Sequence, residues 1–537
     1  MDKKTILFIA LCFLIILAYS NLNAPKKQLE SNQAAPPEPV AQQADTPAPA
    51  KMADGSIAAA FEQGIQPSTD KLYIDTKKQS LIIDRAHACL LSCKLKDYYM
   101  TAEKDTQVEL VGDRAAEIGI FPLQVVFLDP AWQTEHTATA YRAELAENQG
   151  LLAIEQTYTL SFTKEIQGRS LNKRLIFHPD SFFMDIEVDI TGPKEEPAPD
   201  FMIVAGPGAL NKDPENVRKG RYSHPDEIML GYEKVKGKAR KKMERDVYVL
   251  RDIPSFIALN DVYFAQAFIP GNPPAALLYT QTLYMGFLYG GDKTHVRYYL
   301  GPKEKAELKQ ADPALAGLLS YGIFSIIARP LHIVIAFFGR VFINYGIAII
   351  VLTILIRLIF FPLTFRSYLQ MRKMAKLGPQ MKDLRKRFKD QPQKMNQEIQ
   401  LMYKKHGVNP LAGCLPMLIQ LPVLIALYRV LSIAIELRNQ PFLWIQDLAG
   451  PDPYLILPIS MSLAMFVQQK LTPTSADQKQ AKIMAIMMPL FFFFMFRNLQ
   501  AGLVLYWFTS NLLVIMEQSI VSKAHGKEQN RMKEKKQ

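Results

Sequence analysis

Two hydrophobic rhythms divide the chain. Beyond Lys71 the polar and apolar positions alternate: Met184, Ile186, Val188 and Ile190 are interleaved with Asp185, Glu187 and Asp189, and Tyr158, Leu160 and Phe162 with Thr159, Ser161 and Thr163. Successive side chains of a strand point to opposite faces, so this period of two predicts half-buried strands, the last of them from Val296 toward Leu300. Residues 71–316 are expected to fold as one large antiparallel β-sandwich. After residue 316 long apolar runs take over. Residues 345–365, 413–435, 454–470, 483–497 and 502–521 each read as a transmembrane helix, because about 20 apolar residues cross a hydrocarbon core of about 30 Å. Residues 317–344 read differently. There Arg329, Pro330, His332 and Arg340 interrupt a stripe of Leu331, Ile333, Val334, Phe337, Phe338 and Phe342, which predicts an amphipathic helix lying on the membrane surface.

At the start, residues 1–22 combine lysines with a short apolar run, which suits either a retained signal anchor or a signal peptide cleaved near Ala18, Tyr19 and Ser20. Residues 23–70 are rich in Pro, Ala and Gln, cannot bury a core, and are expected to form a flexible tether. With the first segment retained, the expected total is six spans: a polytopic α-helical membrane protein with a large exported β domain.

Charge sets the expected orientation. The 537 residues carry a net charge of +12, spread unevenly. Residues 366–412 hold a run of lysines and arginines, among them Arg385, Lys386 and Arg387, against Asp383, Asp390 and Glu398. Apolar residues recur there at helical spacing around Gly378 and Pro379, which predicts a basic helical hairpin. The tail at 522–537 adds Lys523, Lys527, Arg531, Lys533, Lys535 and Lys536. The positive-inside rule places hairpin, tail and both termini in the cytoplasm, so the positive balance reads as topology before nucleic-acid affinity. The basic stretch at 234–245 reads as a solvated loop or helix face. Of the four cysteines, Cys12 and Cys414 fall in apolar segments; Cys89 and Cys93, if on one strand, lie about 13 Å apart, beyond disulfide reach. His87, His136, His178, His224 and His295 are scattered singly and read as structural or solvated.

The chemistry concentrates on Arg357, which sits inside the apolar run 345–365 with no acidic residue in that run. A guanidinium at that depth either snorkels to the headgroups or faces a water-filled pocket that an acidic visitor can enter. Thr353 lies one helical turn earlier, on the same face. Arg429 is a second buried-looking cation, with Glu436 two turns on; it reads as outer-interface snorkelling or as a further groove charge. There is no P-loop, no HExxH, and no histidine in the spans from Tyr345 onward, so neither nucleotide use, enzymatic catalysis nor a cofactor is implied. A secondary transporter is the alternative reading, but it calls for an inverted repeat and an intramembrane acid; Glu517 lies close to the end of its span.

Three stretches carry a resemblance: R-L-I-F-F-P-L-T at 357–364, V-N-P-L-A-G-C-L-P-M-L-I-Q-L-P-V at 408–423, and G-L-V-L-Y-W-F-T-S-N at 502–511. In this order, with an exported β domain after the first span, the chain resembles the YidC/Oxa/Alb membrane protein insertases in their Gram-negative form. The resemblance implies a five-helix core in the inner membrane enclosing a hydrophilic groove open to cytoplasm and lipid. Arg357, Thr353 and Gln420 would line that groove. Tyr506 and Trp507, with Pro416 and Met417, would form the wall along which a substrate helix slides. Trp507 stands where many relatives have a second tyrosine. The exported domain is similar to mutarotase-like β-supersandwiches, without implying that activity. The implied partners are nascent membrane proteins, the bilayer, the Sec translocon, and a ribosome or targeting receptor met by Arg385, Lys386, Arg387 and the basic tail.

Overall fold

The computed structural model describes residues 64–534 apart from 112–113, 146–149, 194–198, 207–226, 232–246, 251–252, 272, 274, 280–283, 290–292, 320, 390, 410–414 and 474–477. The expected signal anchor, most of the tether and the basic stretch at 234–245 lie outside the described residues. So do Lys535 and Lys536.

Among the described residues the period-two region forms three sheets, one of eight strands and two of five. At the centre of the large sheet Phe183–Thr191 pairs antiparallel with Arg169–Phe177 on one side and Lys293–Pro302 on the other. The expectation of a purely antiparallel sandwich needs one correction: Lys71–Asp75 pairs parallel with Leu151–Ala153, because the long excursion between them returns the chain in the same direction. Cys89 and Cys93 share the strand Cys89–Tyr99 and are free, buried thiols. In Arg169–Phe177 alternate positions are buried, and they include Lys173 as well as Leu171, Leu175 and Phe177. Its neighbour Tyr158–Ile166 likewise turns Lys164 inward beside Leu160 and Phe162. Burial pushes both ammonium groups down to about 7; Lys173 donates to the carbonyls of Ala88 and Leu123, each at 2.5 Å, and Lys164 to that of His136 at 2.7 Å.

The helices of the second region are numbered here from α1 (Ser325–Phe342). α2 (Tyr345–Lys376) begins at the Asn344 cap, whose side chain accepts from the Ile347 N–H at 3.1 Å. It continues past the apolar run into basic residues, since nothing between Arg366 and Lys376 breaks a helix. α3 (Gly378–Arg387) and α4 (Pro392–Lys405) form the hairpin and share a small core of Leu377, Met381, Met402 and Val408. α5 (Leu415–Ile433), α6 (Ile456–Leu471), α7 (Gln478–Phe496) and α8 (Ala501–Glu534) complete the bundle. By length and composition α1, α2 and the first 21 residues of α8 suffice to cross a membrane; α5 and α7 contribute shorter apolar stretches. α1 is thus apolar enough to span, although its sequence predicts a surface helix.

The bundle is packed unevenly along its length. Toward the β domain, Ala348, Ile349 and Leu352 of α2, Ala426, Leu427 and Val430 of α5, Leu457 and Met461 of α6, and Leu503 and Val504 of α8 are buried together. Gly346 lets the Phe442 ring lie directly against α2, where a Cβ would come within 2.2 Å of it. The loop after α5 closes this end: Ala501 donates to the Gly450 carbonyl at 2.7 Å and Gly502 to that of Leu448 at 2.9 Å. The same loop holds the β domain, with Asn439 donating to the Tyr99 carbonyl at 2.9 Å and Arg438 to that of Met100 at 3.2 Å.

Candidate functional site: a half-open polar groove in the helix bundle

Toward the hairpin the same helices separate around a cavity of about 320 Å³, lined from all five of α2, α5, α6, α7 and α8. Arg357 marks its deep end. Its Nε donates to the Ser510 hydroxyl at 3.0 Å, and one terminal nitrogen, Nη2, reaches Ser510 at 2.5 Å and the Gln420 carbonyl oxygen at 3.5 Å. Gln420 also donates to Ser510 at 3.3 Å, so one hydroxyl ties α2, α5 and α8 together. A guanidinium offers five N–H donors, and these neutral partners leave it without a carboxylate in direct contact among the described residues. Arg357 is thus turned inward onto the wall of the cavity, beside Ser510 and Gln420.

The remaining expected site residues divide. Thr353 is fully buried and gives its hydroxyl to the Ile349 carbonyl of its own helix at 2.6 Å; it does not line the cavity. Tyr506 is buried beside Arg357, against Ile356, Gln420 and Val423. Trp507 does line the groove and packs on Phe492 and Phe496, with ring centroids 5.5 and 5.0 Å away. The adjacent aromatics therefore differ, one a packed wall behind the arginine and the other a groove surface. Pro416 and Met417 lie on the first turn of α5, and their side chains fall outside the described residues. The backbone of the basic tail continues α8, but the side chains of Lys523, Lys527, Arg531 and Lys533 are also outside them. Arg385, Lys386 and Arg387 occupy the last turn of α3, away from the groove. Arg429 does not meet Glu436. That carboxylate instead joins His332 of α1, 3.2 Å away, and the other ring nitrogen of His332 faces the Tyr321 hydroxyl at 2.6 Å. Burial alone would push the Glu436 carboxyl up, but the His332 contact holds it below the usual range.

Several groove residues were missed in the sequence. Ser510 and Asn511 stand seven positions before Glu517 and Gln518 respectively, two helical turns, so the four form a polar stripe on one face of α8. Asn511, Glu517 and Gln518 line the cavity, as do Gln468, Gln469 and Thr472 at the end of α6. The signal was available: polar residues at helical spacing inside an otherwise apolar run. Glu517 in particular is part of the groove rather than a bystander at the end of the span.

Two family models match the chain. "60Kd inner membrane protein" covers residues 337–529, and "YidC periplasmic domain" covers 71–334. A curated relative from Syntrophus aciditrophicus (strain SB), "Membrane protein insertase YidC", is 33% identical over 97% of this chain and 100% of its own length. One of the same description from Cupriavidus metallidurans is 34% identical over 98% of both. A solved structure, "Active YidC insertase crystal structure with the first transmembrane domain resolved", aligns with 86% of this chain and 96% of its own, at 17% identity and a TM-score of 0.40.

Proposed function

Because the chain belongs to the YidC family of membrane protein insertases, a membership carried by relatives matched end to end, we propose that the Arg357 groove is where it receives its substrates. The protein is an inner-membrane insertase with a periplasmic β domain, and its activity is transfer of polypeptide into the bilayer rather than covalent catalysis. The observation that carries the reading is the asymmetry of the bundle, packed toward the periplasmic domain and hollow toward the basic hairpin.

Moving a polar tail through hydrocarbon is costly because every unpaired backbone group and charge loses water. A groove that reaches partway across shortens the apolar path. Its arginine holds polar tail residues by charge-assisted hydrogen bonds, and holds acidic ones, where both partners are charged, more strongly than it holds Ser510 and Gln420. The substrate's apolar helix leaves into lipid past Trp507 and the exposed Leu358, Ile359 and Phe361, gaining about 0.8 kcal/mol for each CH2 buried. Membrane potential assists acidic tails by about 2.3 kcal/mol per charge per 100 mV.

In this reading six spans put the hairpin, the tail and both termini in the cytoplasm. α1 lies on the periplasmic surface. Its buried face meets Glu436 through His332, while Arg329 and Arg340 are exposed. The basic hairpin and tail meet the ribosome or a targeting receptor, and the same groove serves as a chaperone surface, alone or beside the Sec translocon. The test is insertion of a short two-span protein into liposomes containing only this purified chain, scored by protease protection. Protection is expected with wild type and a marked loss with Arg357→Ala; equal protection in both would remove the groove from the mechanism.

A further inference from the structure

Arg357 is not the only charge in the groove. Ser510, which holds the guanidinium, and Glu517 are seven residues apart on α8; two helical turns bring them to the same face, about 10 Å apart along the axis. Glu517 lies on the hairpin side. Between and beside them two further polar groups are left over. Asn511 Nδ2, a donor, and Gln518 Oε1, an acceptor, are buried and find no hydrogen-bond partner among the described residues, although both side chains line the cavity. Buried polar groups are ordinarily paired, so an unmet donor and acceptor on the wall of a cavity mark the place of a ligand that supplies both. A peptide backbone does so with its C=O and N–H groups.

We propose that the groove selects an extended, charge-separated peptide segment, with an acidic side chain at Arg357 and a basic one at Glu517. Asn511 and Gln518 bond the backbone between them. An extended chain advances about 3.3 Å per residue, so the two charges stand two to four residues apart, the basic one nearer the cytoplasm. Glu517 is then a specificity-determining residue. It lowers the groove's affinity for purely acidic tails and raises it for tails whose acid is followed closely, on the retained side, by a lysine or arginine. The inference rests on the insertase reading above and adds to it a sequence rule for the substrate.

The test uses the full-length chain in liposomes and three single-span substrates that share one aspartate in the exported tail. One has a lysine three residues from it on the retained side, one a lysine ten residues away, and one glutamine in place of lysine. Wild type should insert the near-lysine substrate roughly fivefold faster than the other two, about 1 kcal/mol. In Glu517→Gln the ratio of near-lysine to lysine-free insertion should fall to about one, and in Glu517→Asp it should persist. Equal rates for near and far lysines in wild type, which needs no variant, would overturn the proposal, as would a near-lysine advantage that survives in Glu517→Gln. Insertion of all three at one rate by wild type sinks this inference and leaves the insertase reading standing; insertion of none sinks both.

Discussion

Among the cations turned inward in this molecule, Lys173 and Arg357 are treated differently. Lys173, in the periplasmic domain, is fully buried on its strand between the inward-facing Leu171 and Leu175, and it donates to two backbone carbonyls, of Ala88 and Leu123. Its surroundings are closed and its ammonium is pushed down to about 7, so it sits close to losing its charge. Arg357 is held by a hydroxyl and a side-chain amide on the wall of a cavity about 320 Å³ in volume. A guanidinium stays protonated, so its charge has to be met by solvent or a ligand. Burial alone therefore does not mark a functional charge. What separates the two is whether the space facing the charge is filled by the protein's own acceptors.

Predictions that break this comparison start with the largest. Arg357→Ala should lower insertion of an acidic-tailed substrate about 10- to 100-fold, the effect of losing charged hydrogen bonds of about 1.5–3 kcal/mol, while Arg357→Lys should keep most of it. Protease-protected yield reads both; equal losses would mean that the planar fork matters more than the charge. Next comes pH. Lys164 and Lys173 have folded values near 7 against 10.5 in the unfolded chain, so the unfolded chain holds more protons between those values and stability rises with pH across that window. Each lysine contributes a slope of up to about 1.4 kcal/mol per pH unit. Hydrogen exchange of the large sheet should slow from pH 7 to 9 after correction for intrinsic rates, and Lys173→Met should roughly halve that dependence, leaving the Lys164 share, without altering insertion. A pH-independent sheet would mean that both lysines keep their protons across that range. The smallest effect belongs to Ser510→Ala, which removes one neutral acceptor worth about 1 kcal/mol and leaves the guanidinium to water; a fewfold fall in insertion rate is expected.

How much of this was legible in the sequence follows from how local the information is. The strands Tyr158–Ile166 and Phe183–Thr191 could be read from alternation, because the period of a strand is written in adjacent residues. The inward turn of Lys164 and Lys173 could not, since it depends on carbonyls that come from distant segments. Arg357 stood out against its apolar run, but Ser510 is 153 residues away and could be found only as part of a polar stripe on α8. Thr353 shares a helical face with Arg357 and still misses the groove, because that face passes from the packed half of the bundle into the hollow half between the two residues. Glu436 took His332 rather than Arg429 because α1 folds back against the end of α5, a choice of partner that spacing along one helix does not encode.

The most direct test of the central claim, that substrate enters the hollow half of the bundle, is site-specific photocrosslinking during insertion. One probe would replace Val514 on the groove wall, and a control probe would replace the exposed Leu463 of α6, outside the groove. The account predicts that the exported tail of an arrested substrate crosslinks at Val514, that this crosslink weakens in Arg357→Ala, and that Leu463 captures little of the tail. Tail crosslinks of equal strength at both positions, unaffected by Arg357→Ala, would contradict it.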